Sequence, residues 1–505
     1  MRRLTPEHAG WLLLAILCVG AAAQGSRLPM RWGPVAIAYG AYVAEWRHAA
    51  STQGAWLTTW VGLHPPLFAA LLTAGLKLGL PPMAWLAASG AASTSAVLAV
   101  GATVSRALGP SGRLAALMAA AFVALSPHRV AYGLEVNNYP LLVGALGAQG
   151  LAFAHWARGG RSTPLVLTSA LLPWAHLLGG TALVAQWAAV ALLDRGRLRA
   201  LSLRFGLAGI ALLPLIPGLI GALGDPINDG AGLGGALSAL ILELPGRYGL
   251  GAAGWATAGL ALLGAHRAWT ADEPLVPVSW ILQAVVGTAA VLGAMATAQA
   301  SDVQLQYWLV PLLPTLALAG TAFVGRERDQ RLAAVAAAIL LGNGAALGLD
   351  AVDARWVRSQ ASSTHPVTVG ALAEWRGDDV LLLVGLPSTG DDDKSAVDPV
   401  WAAVPMGRSL DYRDPGIPGL TAADPYWGQP VRLADGRWLY TFANLNVERL
   451  AVVAAAHGAR GQRVAVAGYG LARHPTAARE LAAWAAKVGA TPIGSVDEIA
   501  FVAAP

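Results

Sequence analysis

Long apolar runs separated by short basic clusters dominate residues 1–350. A membrane helix needs about 20 mostly apolar residues, with short or tilted exceptions. Runs of that kind fall at 10–23, 83–105, 112–127, 138–157, 163–177, 178–193, 202–222, 249–265, 276–297, 306–324 and 331–349, which predicts eleven spans. The pair at 163–193 is divided by "PWAHLLGG", which must turn the chain within a few residues. The two-helix division rests on charge. With eleven spans and the N-terminus inside, Arg2 and Arg3, Arg106 and Arg113, Arg158 and Arg161, Arg195, Arg197 and Arg199, Arg267, and Arg326, Arg328 and Arg331 all fall on the cytoplasmic side, as the positive-inside bias requires.

Like the one within "RWGPVAIAYGAYVAEWRH" at 31–48, the segment "PPLFAALLTAGLKLGL" at 65–80 is an apolar stretch that this count excludes. Reading it as a span would move every later arginine cluster up to Arg331 to the outside. It also carries Lys77 and opens on two prolines, which lack amide protons and suit a helix start. A helix lying at the outer interface is expected. The N-terminus has a competing reading, because Arg2-Arg3, an apolar run and "AAAQG" at 21–25 resemble a cleaved signal peptide. Either choice leaves residues 25–82 outside.

After residue 350 the pattern changes. Residues 351–505 have Asp-rich and Pro/Gly-rich stretches and no credible span, so a separate extracytoplasmic α/β domain is expected. "VLLLVGLP" at 380–387 reads as a buried strand, and "VRLADGRWLYTF" at 431–442 as a hairpin turning at Asp435-Gly436. "RVAVAGYG" at 463–470 reads as a strand leading to a helix near 475–488, with Ala477, Leu481, Trp484 and Val488 on one face and its end before Gly489. "EIAFVA" closes the chain as a further strand. The "GYG" at 468–470 lacks the third glycine of a phosphate loop and reads as a turn. Asp391, Asp392 and Asp393 read as a solvated acidic loop before a calcium site.

Composition narrows the class. The 505 residues are 55% hydrophobic and 12% charged, with a mean hydropathy of +0.52. That is too apolar for a soluble enzyme of this length. The fold class expected is an all-α polytopic membrane domain over 1–350 with interfacial helices in its first outer loop, followed by the small α/β domain over 351–505. A plasma (inner) membrane, a multi-pass chain, a cytoplasmic N-terminus and an extracytoplasmic C-terminal domain go with it. The formal charge of +5 sits in short clusters between spans, which reads as topology and excludes a nucleic-acid partner. The single cysteine, Cys18, lies in the first apolar run and leaves neither a disulfide framework nor a cysteine metal site.

Polar residues at the outer surface carry the candidate chemistry. The first loop offers Arg27, Arg31, Glu45, Arg47, His48 and His64; the next offers His128, Arg129, Glu135, Asn137, Asn138 and Tyr139. Farther on stand His176, Asp225, Asp229, Glu243, Arg247, Asp302, Gln306 and Tyr307. Each has a bland reading beside the functional one. Glu45 and Arg47 suit an interfacial helix, Glu135 suits the N-terminus of the helix near Asn138, His64 can fix the loop before Pro65, and His176 suits a polar turn. Trp32, Trp46, Trp56 and Trp60 read as interface anchors, with stacking on a sugar open for one of them.

A long first loop closing in "HPPLF" at 64–68, followed by "SPHRVAYGLEVNNYPLL" at 126–142, resembles the C-type membrane glycosyltransferases of the protein O-mannosyltransferase and aminoarabinose-transferase type. In that family the first motif is H-P-P-L, and the second resembles Glu, a small residue, Arg, then Tyr and Leu. Glu135, Tyr139 and Leu141 occupy matching places, with Asn137 and Asn138 where Arg and its neighbour are expected. Tyr307 before "WLVPLLPTLALAG" resembles a later Arg-Tyr ahead of a proline-containing span, with Gln306 in place of Arg. The resemblance covers roughly residues 10–325. It departs just after the first span, where family members carry an acid, often Asp-Glu, and this chain reads "QGSRLPMRWG".

The resemblance implies a polyprenyl-phosphate-linked sugar as donor, a lipid, glycan or protein as acceptor, and membrane lipids as surroundings. Members differ in metal use, so a divalent metal stays open, although no ligand cluster stands out. Such a reaction needs a carboxylate to take the proton of the incoming hydroxyl, and negative charge near an oxocarbenium-like centre helps. Glu45, the only carboxylate of the first loop, and Glu135 are the candidates for that work. Arg31, Arg47 and Arg129 suit the leaving phosphate by charge and side, and His64, Asn138, Tyr139, His176 and Tyr307 complete the expected substrate contacts. The rivals are a non-catalytic scaffold, which the missing acid favours, and a transporter or lipid flippase. Against a transporter stand the lack of a clear internal repeat and of acids within spans.

Overall fold

The computed structural model describes residues 65–78, 82–132, 138–217, 220, 248–249, 251–298, 307–326 and 329–353, and, beyond them, 380–385, 410–412, 427–433, 438–442, 447–469, 475–489, 491–492 and 500–503. The chain divides into two compact units. The first is helical: α2 (Pro82–Leu108, joining this unit from Leu86), α3 (Arg113–Ala124), α4 (Pro127–Tyr132), α5 (Asn138–Ala157), α6 (Thr163–Ala175), α7 (Gly180–Leu193), α8 (Arg195–Ile210), α9 (Ala252–Trp269), α10 (Leu275–Ala298), α11 (Leu309–Thr321) and α12 (Gln330–Asp353). The expected span at 10–23 lies outside the described residues. α1 (Pro66–Lys77), which belongs to the second unit from Ala69, starts on proline as "HPPLF" predicts. Its 12 residues rise about 18 Å, well short of a hydrocarbon core of about 30 Å.

Two described stretches, Ala87–Ala124 and Leu275–Gly293, are long and apolar enough to cross a membrane. The first is divided at Gly109, whose φ of +64° begins a tight turn between α2 and α3. Thr163–Ala175, Leu177–Leu193 and Leu309–Thr321 are shorter apolar helices. The outer faces of the bundle are apolar too: Leu167, Leu203, Leu207, Ile210, Leu262 and Leu341 are all exposed, Leu262 at 75% and Leu341 at 73%. Exposed apolar surface on this scale marks contact with something other than water. The chain is a membrane protein on these grounds.

Small residues let the helices approach closely. A side chain at Gly144 would meet the Ala92 carbonyl at 2.9 Å, and one at Gly147 would meet the Ala96 Cα at 2.9 Å, so α5 lies directly against α2. Gly320 of α11 sits as tightly against Ala115 and Ala119 of α3, and Gly264 of α9 against the Leu318 carbonyl of α11. Small-residue contacts of this sort hold helices together where lipid removes the hydrophobic drive. Between α5, α6 and α7 a buried polar group does the same work. Gln149 Nε2 donates to Ser169 Oγ at 3.1 Å and to Gln186 Oε1 at 2.9 Å, while Thr168 donates to Gln149 Oε1.

Arginines gather the turns at one end of this bundle. Arg158, just past α5, donates through Nη2 to the last turn of α2 at Ala107 O (2.9 Å) and pairs with Glu273 between α9 and α10 (2.8 Å). Arg197 reaches Ala157 O at the end of α5 and pairs with Asp194 at 3.0 Å, and Arg267 donates to Ala322 O after α11. Cations at helix C-termini meet unsatisfied carbonyls and the negative end of the helix dipole. α8 starts at Arg195, seven residues before the expected span at 202–222. Arg195, Arg197 and Arg199 therefore stand on its first turns, where the expectation had a loop.

In the second unit β1 (Val380–Gly385), β2 (Leu410–Tyr412), β3 (Trp427–Leu433), β4 (Trp438–Phe442), β5 (Val464–Tyr469), β6 (Thr491–Pro492) and β7 (Ala500–Ala503) form a sheet of order β2-β3-β4-β1-β5-β7-β6. β1 runs parallel to β4 and β5, and the remaining pairs are antiparallel. The register Val431↔Leu439 places β3 and β4 across the expected hairpin, whose turn at 435–436 lies outside the described residues. Asp391, Asp392, Asp393 and Gly470 lie outside them as well. α14 (Pro475–Lys487) buries Leu481 and Trp484 and is followed by Gly489 at φ +70°. α13 (Val447–Gly458) had no counterpart in the sequence reading.

α13 brings His457 onto β4. The buried imidazole donates from Nδ1 to Gln462 Oε1 (2.7 Å), which leaves Nε2 to accept from the Tyr440 hydroxyl (2.6 Å). Burial holds His457 below the ordinary histidine range, with Arg460 adding to the effect and the Gln462 hydrogen bond opposing it. The unfolded chain therefore binds the proton more readily. The stabilisation is complete above about pH 6.5 and is lost as the pH falls from there through the lowered folded value.

Two outcomes are expected. Gly264→Val and Gly320→Val should each lower stability by about 1–3 kcal/mol, read as melting of the detergent-solubilised protein, while Gly259→Ala, with open space around it, should not. Hydrogen exchange, corrected for intrinsic rates, should show β4, α13 and β5 opening more easily at pH 5.5 than at pH 7.5, and His457→Asn should flatten that difference.

Candidate functional site

At the end of the helical unit away from the arginine turns, three residues from distant segments meet. Tyr139 is in the first turn of α5 and fully buried; Pro140 beside it falls where no amide partner is needed. His176 breaks the chain between α6 and α7. Its backbone is extended (φ −168°, ψ 140°) and its Nδ1 accepts from the Leu178 amide at 3.1 Å. That bond leaves the ring proton of the neutral imidazole on Nε2. Tyr307 stands two residues before the start of α11, which contains Pro311 and Pro314. Ring centroids are 5.3 Å apart for Tyr139 and His176, 5.6 Å for His176 and Tyr307, and 6.2 Å for Tyr139 and Tyr307.

Through Tyr307 this aromatic group continues into an apolar cluster. Trp308 and Val291 are its buried centre, with Leu178, Leu292 and Tyr307 packed against them. The indole nitrogen of Trp308 is buried and has no hydrogen-bond partner among the described residues. Asn138 and His128 are buried nearby in sequence, at the start of α5 and in α4. The cluster is made of aromatic, aliphatic and neutral polar side chains, all of them buried or partly buried.

Arg129, expected at the leaving phosphate, is held inside the helical unit. It is 1% exposed. Its Nε donates to Val123 O (2.7 Å), its Nη2 to Ala124 O (2.8 Å) and its Nη1 to Ser93 Oγ (2.7 Å). The guanidinium thus closes the C-terminus of α3 and ties it to α2, and a leaving phosphate is not needed to explain it. Glu45, Glu135, Arg31, Arg47 and His64 lie outside the described residues.

Sequence reasoning missed Trp308 and the group around Gln149. Gln149 and Gln186 interrupt apolar runs, which was the available signal. Among the described residues no group of three or more His, Cys, Asp or Glu could hold a metal ion. No protein-family model and no curated protein sequence matches the chain.

Removing the Arg129 head group should test its assigned part. Arg129→Leu is expected to cost about 3 kcal/mol or more, because buried carbonyls and Ser93 lose a charged partner. Arg129→Lys should rescue little, since a single ammonium cannot reproduce the fork. Thermal melting in detergent measures both.

Proposed function

We propose that the chain is an integral-membrane glycosyltransferase that moves a sugar from a polyprenyl-phosphate-linked donor to a lipid, glycan or protein acceptor at the outer membrane face. The observation that carries this reading is the meeting of Tyr139, His176 and Tyr307 at one end of the bundle. Tyr139 and Tyr307 belong to the stretches that resemble the C-type enzymes. The arginine-bearing turns collected at the opposite end support an orientation with that end cytoplasmic. With it go the eleven-span arrangement in the plasma (inner) membrane and an extracytoplasmic position for the sheet-bearing unit.

In this reading the acceptor hydroxyl attacks the anomeric carbon, and the bond from that carbon to the phosphate oxygen breaks. Polyprenyl phosphate leaves, and a carboxylate takes the hydroxyl proton. Glu135, three residues before Asn138 in the chain, and Glu45 are assigned to the proton. Arg31 and Arg47 are assigned to the phosphate, with Arg129, whose head group is bonded to Val123, Ala124 and Ser93, the third expected cation. Tyr139, His176, Tyr307, Asn138 and His64 hold the sugar or the first isoprene units.

Purified protein in liposomes should release polyprenyl phosphate from at least one member of a panel of lipid-linked sugars. Glu135→Gln or Glu45→Gln should cut turnover at least a hundredfold, in line with loss of a general base, without changing the melting temperature. Tolerance of both changes and no release from any donor would instead mark a non-catalytic scaffold. Movement of the donor across the bilayer without its consumption would mark a transporter or flippase.

A further inference from the structure

A strip on α8 joins two chemistries that meet at a membrane surface. Residues one or two turns apart on this helix share a face, and Arg195, Arg199, Leu203, Leu207 and Ile210 follow one another along the exposed side, whereas Leu201 and Ala208 face the bundle. Arg199 makes no ion pair or hydrogen bond with its side chain among the described residues. Arg195 has one weak contact, to Ala191 O at 3.3 Å. The neighbouring acid, Asp194, is already paired with Arg197. Beside the strip on α7, the exposed Trp187 is held by a hydrogen bond from its indole to Ser202 Oγ at 3.0 Å.

The lengths fit one leaflet. From Arg199 to Ile210 the helix rises about 16 Å, and half of a hydrocarbon core of about 30 Å is about 15 Å. A phosphate at Arg195 and Arg199 would therefore place an acyl chain along Leu203, Leu207 and Ile210. Trp187 lies at the edge, where an amphipathic ring packs against lipid.

We infer that Arg195, Arg199 and the apolar face of α8 form a binding site for an anionic glycerophospholipid. Its phosphate lies between the two guanidiniums and one acyl chain runs along the helix. A soluble anion would use the arginines and ignore the leucines; an acidic protein from the water phase would not meet the buried half of a leaflet. The site is independent of the proposed sugar transfer and lies at the other end of the bundle.

Native mass spectrometry of the delipidated full-length protein, titrated with phosphatidylglycerol or phosphatidylcholine of the same acyl chains, tests it. Phosphatidylglycerol should bind more tightly. Each arginine near an anionic headgroup contributes about fivefold in affinity, so Arg195→Gln with Arg199→Gln should weaken phosphatidylglycerol about thirtyfold and phosphatidylcholine little. Leu203→Ser with Leu207→Ser should weaken both lipids, and glycerol phosphate should compete poorly. Arg106→Gln, elsewhere on the basic end, is the matched control and should change little. Equal binding by the double arginine variant and the parent would overturn the assignment, as would full competition by glycerol phosphate. Melting temperatures of the variants, all at exposed positions, check that the fold persists.

Discussion

Close approach of helices through small residues is the constraint on which the helical unit depends. In lipid the outer surface of a helix is as well solvated by acyl chains as by another helix, so apolar area alone gives little reason to associate. Gly264 against the Leu318 carbonyl, Gly320 against Ala115 and Ala119, and Gly144 and Gly147 against Ala92 and Ala96 bring backbones together where any larger side chain would hold them apart. Dispersion between many atoms then supplies attraction that lipid cannot match. The placement of α11 is fixed twice in this way, against α3 and against α9, and Tyr307 and Trp308 ride at its start.

Polar side chains then fix register. Gln149 ties α5 to α6 and α7, Arg129 ties the end of α3 to α2, and Arg158 ties the ends of α2 and α5 to the α9–α10 turn. In an apolar medium a donor that loses its partner has no water to turn to. The pairs therefore select one helix arrangement as well as adding to its stability. The convergence of Tyr139, His176 and Tyr307 is a product of that selection, because α5, the α6–α7 break and α11 have no sequence proximity.

Much of the helical unit was legible because apolar runs end on residues with plain physical meanings. Residues 138–157 read as a helix from an apolar run between Asn and a basic pair, and α5 has those bounds. α8 was misjudged at its start because a hydropathy reading counts Arg195, Arg197 and Arg199 as loop. Arginine is a good helix former, and snorkelling keeps its charge wet while the helix continues. α13 was passed over although "LAVVAAA" at 450–456 offered a continuous apolar run. Tyr139, His176 and Tyr307 stood out as polar residues at the ends of runs. The part played by Arg129 was not readable, because its partner Ser93 lies on another helix, 36 residues away.

The charge distribution also separates two tasks. In the helical unit Arg158, Arg197 and Arg267 close helix termini at one end, while the aromatic group at the other end is made of neutral side chains. The proposed sugar transfer needs a negative charge and phosphate contacts that this group does not hold. In the proposed reaction a carboxylate beside apolar side chains would be poorly solvated and hence a stronger base. The same neutral side chains could not by themselves polarise a leaving phosphate. Under the proposed reading, the base and the phosphate contacts therefore come from residues other than the aromatic group.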